Sequence, residues 1–192
     1  MGRWALVPLC LAVISSPGSA QGPVEPFPYP SVQGRNLEDA EFRIPAELPG
    51  DPRLLLVPFK QWQQQEVDTW LARLPALTEE VPGLRYYELP TLTTGWKVMR
   101  WMIDGGMKSG IADPAARART ITVYTDKGRF LREARIEDDA HIEVMLLDAR
   151  GRVTWRARGP LTPGAWDSLR WALSPDGPGG AATGDRPGPA GS

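Results

Sequence analysis

Cysteine is nearly missing from this chain of 192 residues, since Cys10 is the only one. Thiol–disulfide chemistry needs a reactive thiolate and usually a second thiol to pair with it, so one cysteine argues against that chemistry. A disulfide within the chain cannot stabilise the fold either, because it would need two cysteines. An apolar core must hold the domain together, which about 140 ordered residues can supply.

Catalytic motifs and strong charge are also missing. Histidine occurs once, at His141, and the chain has no Ser-x-x-Lys, Gly-x-Ser-x-Gly, phosphate-binding loop or metal-spaced His/Cys set. The formal net charge of −1 gives no basic surface for nucleic acid. Beyond residue 20, no apolar run approaches the roughly 20 residues that a transmembrane helix needs. We therefore predict no nucleic-acid partner, no transmembrane segment, no metal and no cofactor.

The first twenty residues have the pattern of a signal peptide. Arg3 supplies a positive start, residues 4–14 form an apolar stretch, and residues 18–20 end in a small-x-small pattern. We expect cleavage after Ala20 and a periplasmic or secreted protein. Cleavage would also remove Cys10 and leave the mature chain without a thiol.

Composition divides the rest of the chain into three parts. Residues 21–35 contain four prolines and are predicted to form an extended N-terminal extension. Residues 174–192 are nearly all Gly, Pro, Ala and Ser and are predicted to be a disordered tail. A single domain is predicted between them, over residues 36–173.

Hydrophobic periodicity predicts an α/β domain. The continuous apolar run 53–59 is typical of a central strand buried on both faces. Apolar residues at three- and four-residue spacing then predict a helix, kinked at Pro75 because proline removes a backbone hydrogen bond. This order of elements predicts a central mixed β-sheet flanked by helices. The other predicted strands are 84–89, 120–125 and the two strands of a hairpin over 142–158. The other predicted helices are 95–108, 127–135 and a last helix that begins at the N-cap Thr162.

The arginines of the last predicted strand alternate with apolar residues. Arg152, Arg156 and Arg158 fall on one face, and Val153 and Trp155 on the other, because side chains alternate along a strand. We predict a charged edge strand that resists aggregation. Docking to an acidic partner or a lipid surface is the alternative.

Residues 142–173 carry a resemblance to a known family. An apolar run leads into a turn with Asp148 and Gly151, an alternating strand follows, and Gly159 precedes the last helix. This order resembles the C-terminal hairpin and helix of thioredoxin-like proteins of the peroxiredoxin and TlpA/ResA type. The resemblance implies a thioredoxin-like α/β fold over roughly residues 50–173, with a C-terminal β-hairpin plus helix.

The resemblance fails at the positions that carry the family's chemistry. Redox members have a Trp-Cys-x-x-Cys motif after the first buried strand; here Trp62 matches the tryptophan, and Gln63 and Glu66 stand at the cysteine positions. The family's cis-proline before the hairpin is replaced by Ala140 and His141. The resemblance therefore implies the fold without redox cysteines, and we do not expect oxidoreductase, isomerase or thiol-peroxidase activity.

A weaker resemblance is to the ATP10-type assembly factors of the mitochondrial ATP synthase, which are also thioredoxin-like and lack the redox cysteines. It implies that the fold can serve in assembly without thiols. The pattern L-x-D-x-x-G-x-[IV]-x-W-x-x-x-G is matched by Leu146, Asp148, Gly151, Val153, Trp155 and Gly159.

The predicted function is an exported, non-redox binding or assembly module with an exported or membrane protein as its partner; its oligomeric state stays open. An exposed tryptophan beside amide side chains and free helix N–H groups could bind a peptide or an anionic group. The candidate partner-binding residues are Trp62, Gln63, Gln64, Glu66, Ala140 and His141.

Two alternatives remain open. His141 has acidic neighbours in sequence and could support acid–base chemistry. A methionine and aromatic cluster on the predicted helix 95–108 could bind Cu(I) through thioethers, although this spacing is more typical of core or of an adaptable contact surface. The cluster is Trp96, Met99, Trp101, Met102 and Met107.

Overall fold

The structure is a computed structural model that describes residues 21–93 and 113–177. The predicted signal peptide, the predicted helix 95–108 with its methionines, and residues 178–192 of the predicted tail lie outside these ranges. The strands are β1 Gly22–Pro28, β2 Val32–Asn36, β3 Glu41–Ile44, β4 Arg53–Val57, β5 Arg85–Glu88, β6 Thr91–Thr93, β7 Ile121–Thr125, β8 Glu143–Leu147 and β9 Arg152–Arg158. The helices are a 3₁₀ turn Gln61–Gln63, α1 Gln64–Leu71, α2 Leu74–Glu80, α3 Pro114–Arg119, α4 Lys127–Glu133 and α5 Pro163–Leu173.

The strands form two mixed sheets. One has the order β1-β9-β8-β4-β5 with β4 and β5 parallel, and the other has the order β3-β2-β7-β6 with β6 and β7 parallel. The sheets meet where β5 leads into β6: Glu88 bridges to Thr120, and the Val123 N–H donates to the Pro90 carbonyl at 2.9 Å. Pro90, which has no N–H to donate, stands between the end of β5 and the start of β6, and the described strands form two sheets instead of the predicted single central sheet.

Strand β4 is buried on both faces, as the apolar run predicts. Leu54 and Leu56 face a core that contains Trp70 and the inner side of α5. Leu55 and Val57 face a second core on the other side of the sheet. Apolar side chains packed on both faces therefore fix β4 in the middle of the molecule, and its C-terminal end is held in a defined place.

Most of residues 21–35 lies in strands β1 and β2, instead of the predicted loose extension. β1 pairs antiparallel with β9, with Pro23 opposite Trp155 and Phe27 opposite Val153, and Phe27 is buried. β1 is the outer strand of its sheet, where a proline that lacks an N–H costs no ladder bond.

The predicted charged edge strand is wrong for the same reason, because β1 covers β9. Arg156 is mostly buried and its guanidinium pairs with Glu143 at 2.6 Å. Burial raises the pKa of Glu143, and the charge of Arg156 opposes that shift. Arg158 also pairs with Glu143 and Asp138, and Arg152 pairs with Asp148, so all three arginines are bound to carboxylates of this chain and do not form a free docking face.

The predicted kinked helix is two helices. α1 ends at Leu71, and α2 begins at Leu74 with Pro75 in its first turn. Proline is tolerated there because the first N–H groups of a helix have no partner within the helix. The other predicted strands and the last helix are confirmed, including its N-cap, where the Thr162 hydroxyl accepts from the Ala165 N–H at 3.2 Å.

Within the described ranges, the helices are too short or too polar for any of them to cross a membrane.

Candidate functional site

Strand pairing brings two distant segments together. β4 and β8 are antiparallel neighbours, and Val57 at the end of β4 lies opposite Glu143 at the start of β8. The 3₁₀ turn and α1 follow β4 within a few residues, and the loop 137–142 directly precedes β8. The turn and this loop therefore meet at one edge of the sheet, where the predicted site residues lie.

Gln63 connects the two segments from inside the protein. Its side chain is fully buried, and its Oε1 accepts the N–H groups of Phe59 at 2.7 Å and Lys60 at 3.1 Å. Its Nε2 donates to the Asp139 carbonyl at 2.9 Å. A buried amide with both ends bonded satisfies three backbone groups that would otherwise be left without partners. Gln63, predicted to contact a partner, has its side chain directed inward and supports the backbone of both segments.

Glu66 makes the second connection. It is 9% exposed, and its Oε2 accepts the Ile142 N–H at 3.0 Å. Its Oε1 lies 2.6 Å from Nδ1 of His141, whose side chain is 49% exposed. The carboxylate therefore fixes the imidazole orientation while part of the ring stays in solvent. Glu66, also predicted to contact a partner, supports the surface from below.

A cluster of charged side chains lies at the same edge of the sheet. Asp139 accepts from Lys127 at 2.5 Å and from Lys60 at 2.9 Å. The hydrogen bond from Lys127, followed by that from Lys60, holds the pKa of Asp139 below its usual value. These ion pairs join the loop to α4 and to the residue before the 3₁₀ turn. The loop 137–142 is therefore bonded to the 3₁₀ turn, to α1 and to α4.

Four predicted site residues are on the surface: Trp62, Gln64, Ala140 and His141. Trp62 is 53% exposed, which is unusual for so large an apolar side chain. We call these four residues the Trp62 surface. The structure therefore brings all six predicted residues together, and divides them into an exposed group and a buried pair.

The two buried residues, Gln63 and Glu66, lie on the helix face that is directed toward the core. Gln63 and Glu66 lie on the face that continues with Val67 and Trp70, both fully buried. Spacing of three and four residues places side chains on one helix face. That spacing was a signal in the sequence, but glutamine and glutamate are residue types that are usually exposed.

Glu88 lies beneath the start of α1 as a further buried carboxyl group that sequence reasoning did not identify. Burial is the main cause that raises its pKa from 4.5 to about 7; the nearby charge of Asp68 adds to the shift, while a hydrogen bond from Gln64 and the charge of Arg119 oppose it. The ionised form of Glu88 is therefore costly in the folded protein.

We expect the free energy of unfolding of the wild type to fall as the pH rises, and Glu88→Gln to abolish that fall. Because the folded-state pKa of about 7 exceeds the usual 4.5, the folded protein binds more protons, and stability falls as the pH rises between these values. Between roughly pH 5 and pH 8, the free energy of unfolding of the wild type should fall by up to about 3 kcal/mol relative to that of the variant. Urea unfolding of both proteins at the two pH values measures this difference. An equal pH dependence of both proteins would contradict it.

Solved structures share this architecture. The thioredoxin domain of a thiol-disulfide oxidoreductase from Bacteroides vulgatus matches with a TM-score of 0.51 and 16% identity, over 81% of this chain and 99% of that one. A DsbF homologue from Corynebacterium diphtheriae matches with a TM-score of 0.53 and 13% identity, over 81% and 93%. A putative electron transfer protein from Aquifex aeolicus matches with a TM-score of 0.51 and 11% identity, over 78% and 94%.

The fold is thioredoxin-like. The fold expected from residues 142–173 is therefore confirmed, whereas the likeness to the ATP10-type assembly factors stays a prediction. The chain matches no protein-family model and no curated protein. At these identities the structural likeness concerns the fold alone, so function must be argued from the site.

In the described part of the chain, no three His, Cys, Asp or Glu side chains are grouped so that they could hold a metal ion. The copper alternative depends on residues 96–107, which lie outside the described ranges.

Proposed function

We propose that this protein is an exported, thioredoxin-like binding or assembly module that acts without thiols. It binds an exported or membrane protein through the Trp62 surface, in the periplasm or after secretion. The ordered loop and helix start present a fixed surface, and the partner supplies the group that covers the tryptophan.

The absence of thiol chemistry is supported by the two positions where a redox member would need it. Gln63 and Glu66 are buried and use their side chains to hold backbone groups. Neither residue type can form a disulfide or carry electrons. The chain's only cysteine, Cys10, lies in the predicted signal peptide.

The observation that carries the proposal is the exposure of Trp62 on a rigid base. Tryptophan is enriched among the residues that dominate binding energy at protein interfaces. The hydrogen bonds of Gln63 and Glu66 order the residues around it before a partner arrives. A preordered surface loses less conformational entropy on binding, which favours affinity.

The test is photo-crosslinking in the cells that make the protein, with the reactive side chain at Gln64, followed by mass spectrometry of the adducts. Gln64 is exposed and next but one to Trp62. We expect a discrete adduct with one exported or membrane protein. The same crosslinker at Asp167, an exposed position on α5, is the control and should not give that adduct.

The proposal is contradicted if folded, well-expressed protein gives no adduct from Gln64. It is also contradicted if both positions give the same set of abundant proteins, because that pattern would reflect random encounters.

A second candidate function is acid–base catalysis at His141. It is favoured by the 2.6 Å contact between Nδ1 of His141 and the buried carboxylate of Glu66. A carboxylate that orients a half-exposed imidazole is an arrangement found in enzymes that use histidine as a base. The described neighbourhood pairs no serine or cysteine nucleophile with His141, so water would have to be the attacking group.

Hydrolysis of p-nitrophenyl acetate by the wild type and by His141→Gln separates the two functions. Catalysis by His141 predicts a loss of about a hundredfold or more in the variant. The binding proposal predicts equal, background rates for both proteins. A large rate difference would make His141 a catalytic residue.

A further inference from the structure

A second concave site lies away from the Trp62 surface, where β5 faces α2 and α3. The cavity has a volume of about 720 Å³, within the range of about 300–1,000 Å³ that ligand sites occupy. Its apolar wall includes Phe42, Pro49, Tyr86 and Tyr87. The cavity is therefore large enough and apolar enough to receive several side chains of a partner.

The edge of β5 opens into this cavity. The Arg85 N–H donates to Pro52 at 3.1 Å and the Leu89 N–H donates to Leu56 at 2.7 Å, so alternate residues of β5 are bonded to β4. In a parallel pair, the residues between them direct their N–H and C=O groups away from that neighbour. The backbone of Tyr86 therefore points to the open side of the strand.

Strand β7 does not cover this position. The next outward-facing residue, Glu88, bridges to Thr120, but the pairing of β7 continues with β6 and not with the beginning of β5. Among the described residues, no strand pairs with the outward side of Tyr86, which lines the cavity. An exposed strand edge is a template for pairing with another extended chain.

The charges beside this edge favour an acidic group. Within the described residues, the Arg85 guanidinium has no carboxylate partner and donates to the Leu84 carbonyl at 3.1 Å. Arg119, which lies 4.7 Å from the centre of the Tyr86 ring, is within 3.7 Å of Asp113. Asp113 also accepts two N–H groups at the start of α3. Glu79 contributes its negative charge from α2, so the acidic group belongs on the β5 side, next to Arg85.

We propose that this cavity binds an extended, acidic peptide segment of a partner protein, which pairs with the backbone of Tyr86 and places a carboxylate against Arg85. Because side chains alternate along a strand, the apolar side chains of the segment lie on the other face, where they pack on Tyr86 and Pro75. The site is separate from the Trp62 surface and does not depend on it.

The test titrates the ¹⁵N-labelled protein with the peptide acetyl-Val-Glu-Val-Glu-Val-amide. We expect chemical-shift changes at the amides of Arg85 to Tyr87 and slower hydrogen exchange of the Tyr86 N–H. Methylation of the central peptide nitrogen should weaken binding about tenfold, because it removes one backbone hydrogen bond. Arg85→Glu should weaken binding by a similar factor, about tenfold, because it reverses the charge that meets the peptide.

Arg150→Glu is the matched control, since Arg150 is exposed in the turn between β8 and β9 and should leave the affinity unchanged. The proposal is overturned if the peptide gives no shifts at millimolar concentration, or if the N-methylated peptide binds equally well. Shifts confined to the Trp62 surface would also overturn it, while leaving the proposed function intact. Tighter binding of the corresponding lysine peptide would contradict the assigned charge.

Discussion

Gln63→Leu is expected to lower the free energy of unfolding by about 3 kcal/mol, although leucine is similar in size and suited to a buried position. The variant leaves the N–H groups of Phe59 and Lys60 and the carbonyl of Asp139 without the partner that now satisfies them. A buried polar group that loses its hydrogen bond pays most of its desolvation cost, which outweighs the gain from an apolar side chain.

Urea unfolding of the purified variant measures this loss. Gln65→Leu makes the same chemical change at an exposed position two residues away, and it should change stability by less than about 0.5 kcal/mol. Hydrogen exchange of the Ile142 amide gives a second readout, because a released loop should expose that N–H more often. Equal stability of the wild type and the Gln63 variant would show that the buried amide does not hold the loop.

Trp62→Ala is expected to weaken partner binding about thirtyfold, the loss of roughly 2 kcal/mol that is typical of a dominant interface residue. The thermal midpoint should stay within about 2 °C of the wild type, because a side chain that is half in solvent contributes little to the core. Calorimetric titration with the partner identified by crosslinking gives the affinity, and thermal unfolding gives the midpoint.

Trp171→Ala is the matched control for this variant. Trp171 is 51% exposed, close to the 53% of Trp62, but it lies at the end of α5. Equal losses of affinity in both variants would show that any exposed tryptophan contributes to binding, and that Trp62 has no specific role. A lower thermal midpoint for Trp62→Ala alone would make Trp62 a packing residue.

The strands in the middle of the chain could be predicted because their side-chain patterns are local. The apolar run of β4 and the β-branched residues of β7 indicate strands wherever their partners lie. The strands at the N-terminus could not be predicted in the same way, because four prolines in residues 21–35 suggested an extended segment without partners. Phe27 and Tyr29 are both buried and two residues apart, which was a strand signal within that tract.

The buried half of the site depends on long-range register and could not be read from composition. Glu66 reaches His141 and Ile142 because β4 and β8 are paired with Val57 opposite Glu143. A shift of that register would separate the carboxylate from the loop. The sequence points to these two segments, and the structure shows which of their side chains are buried beneath the surface and which are exposed.

The most direct test of the Trp62 surface is the yield of the Gln64 crosslink in living cells, compared among the wild type, Trp62→Ala and Trp171→Ala at equal expression. We predict a discrete protein adduct in the wild type and in Trp171→Ala, and its loss in Trp62→Ala. The same adduct at the same yield in all three proteins would contradict the proposal that partner binding depends on Trp62.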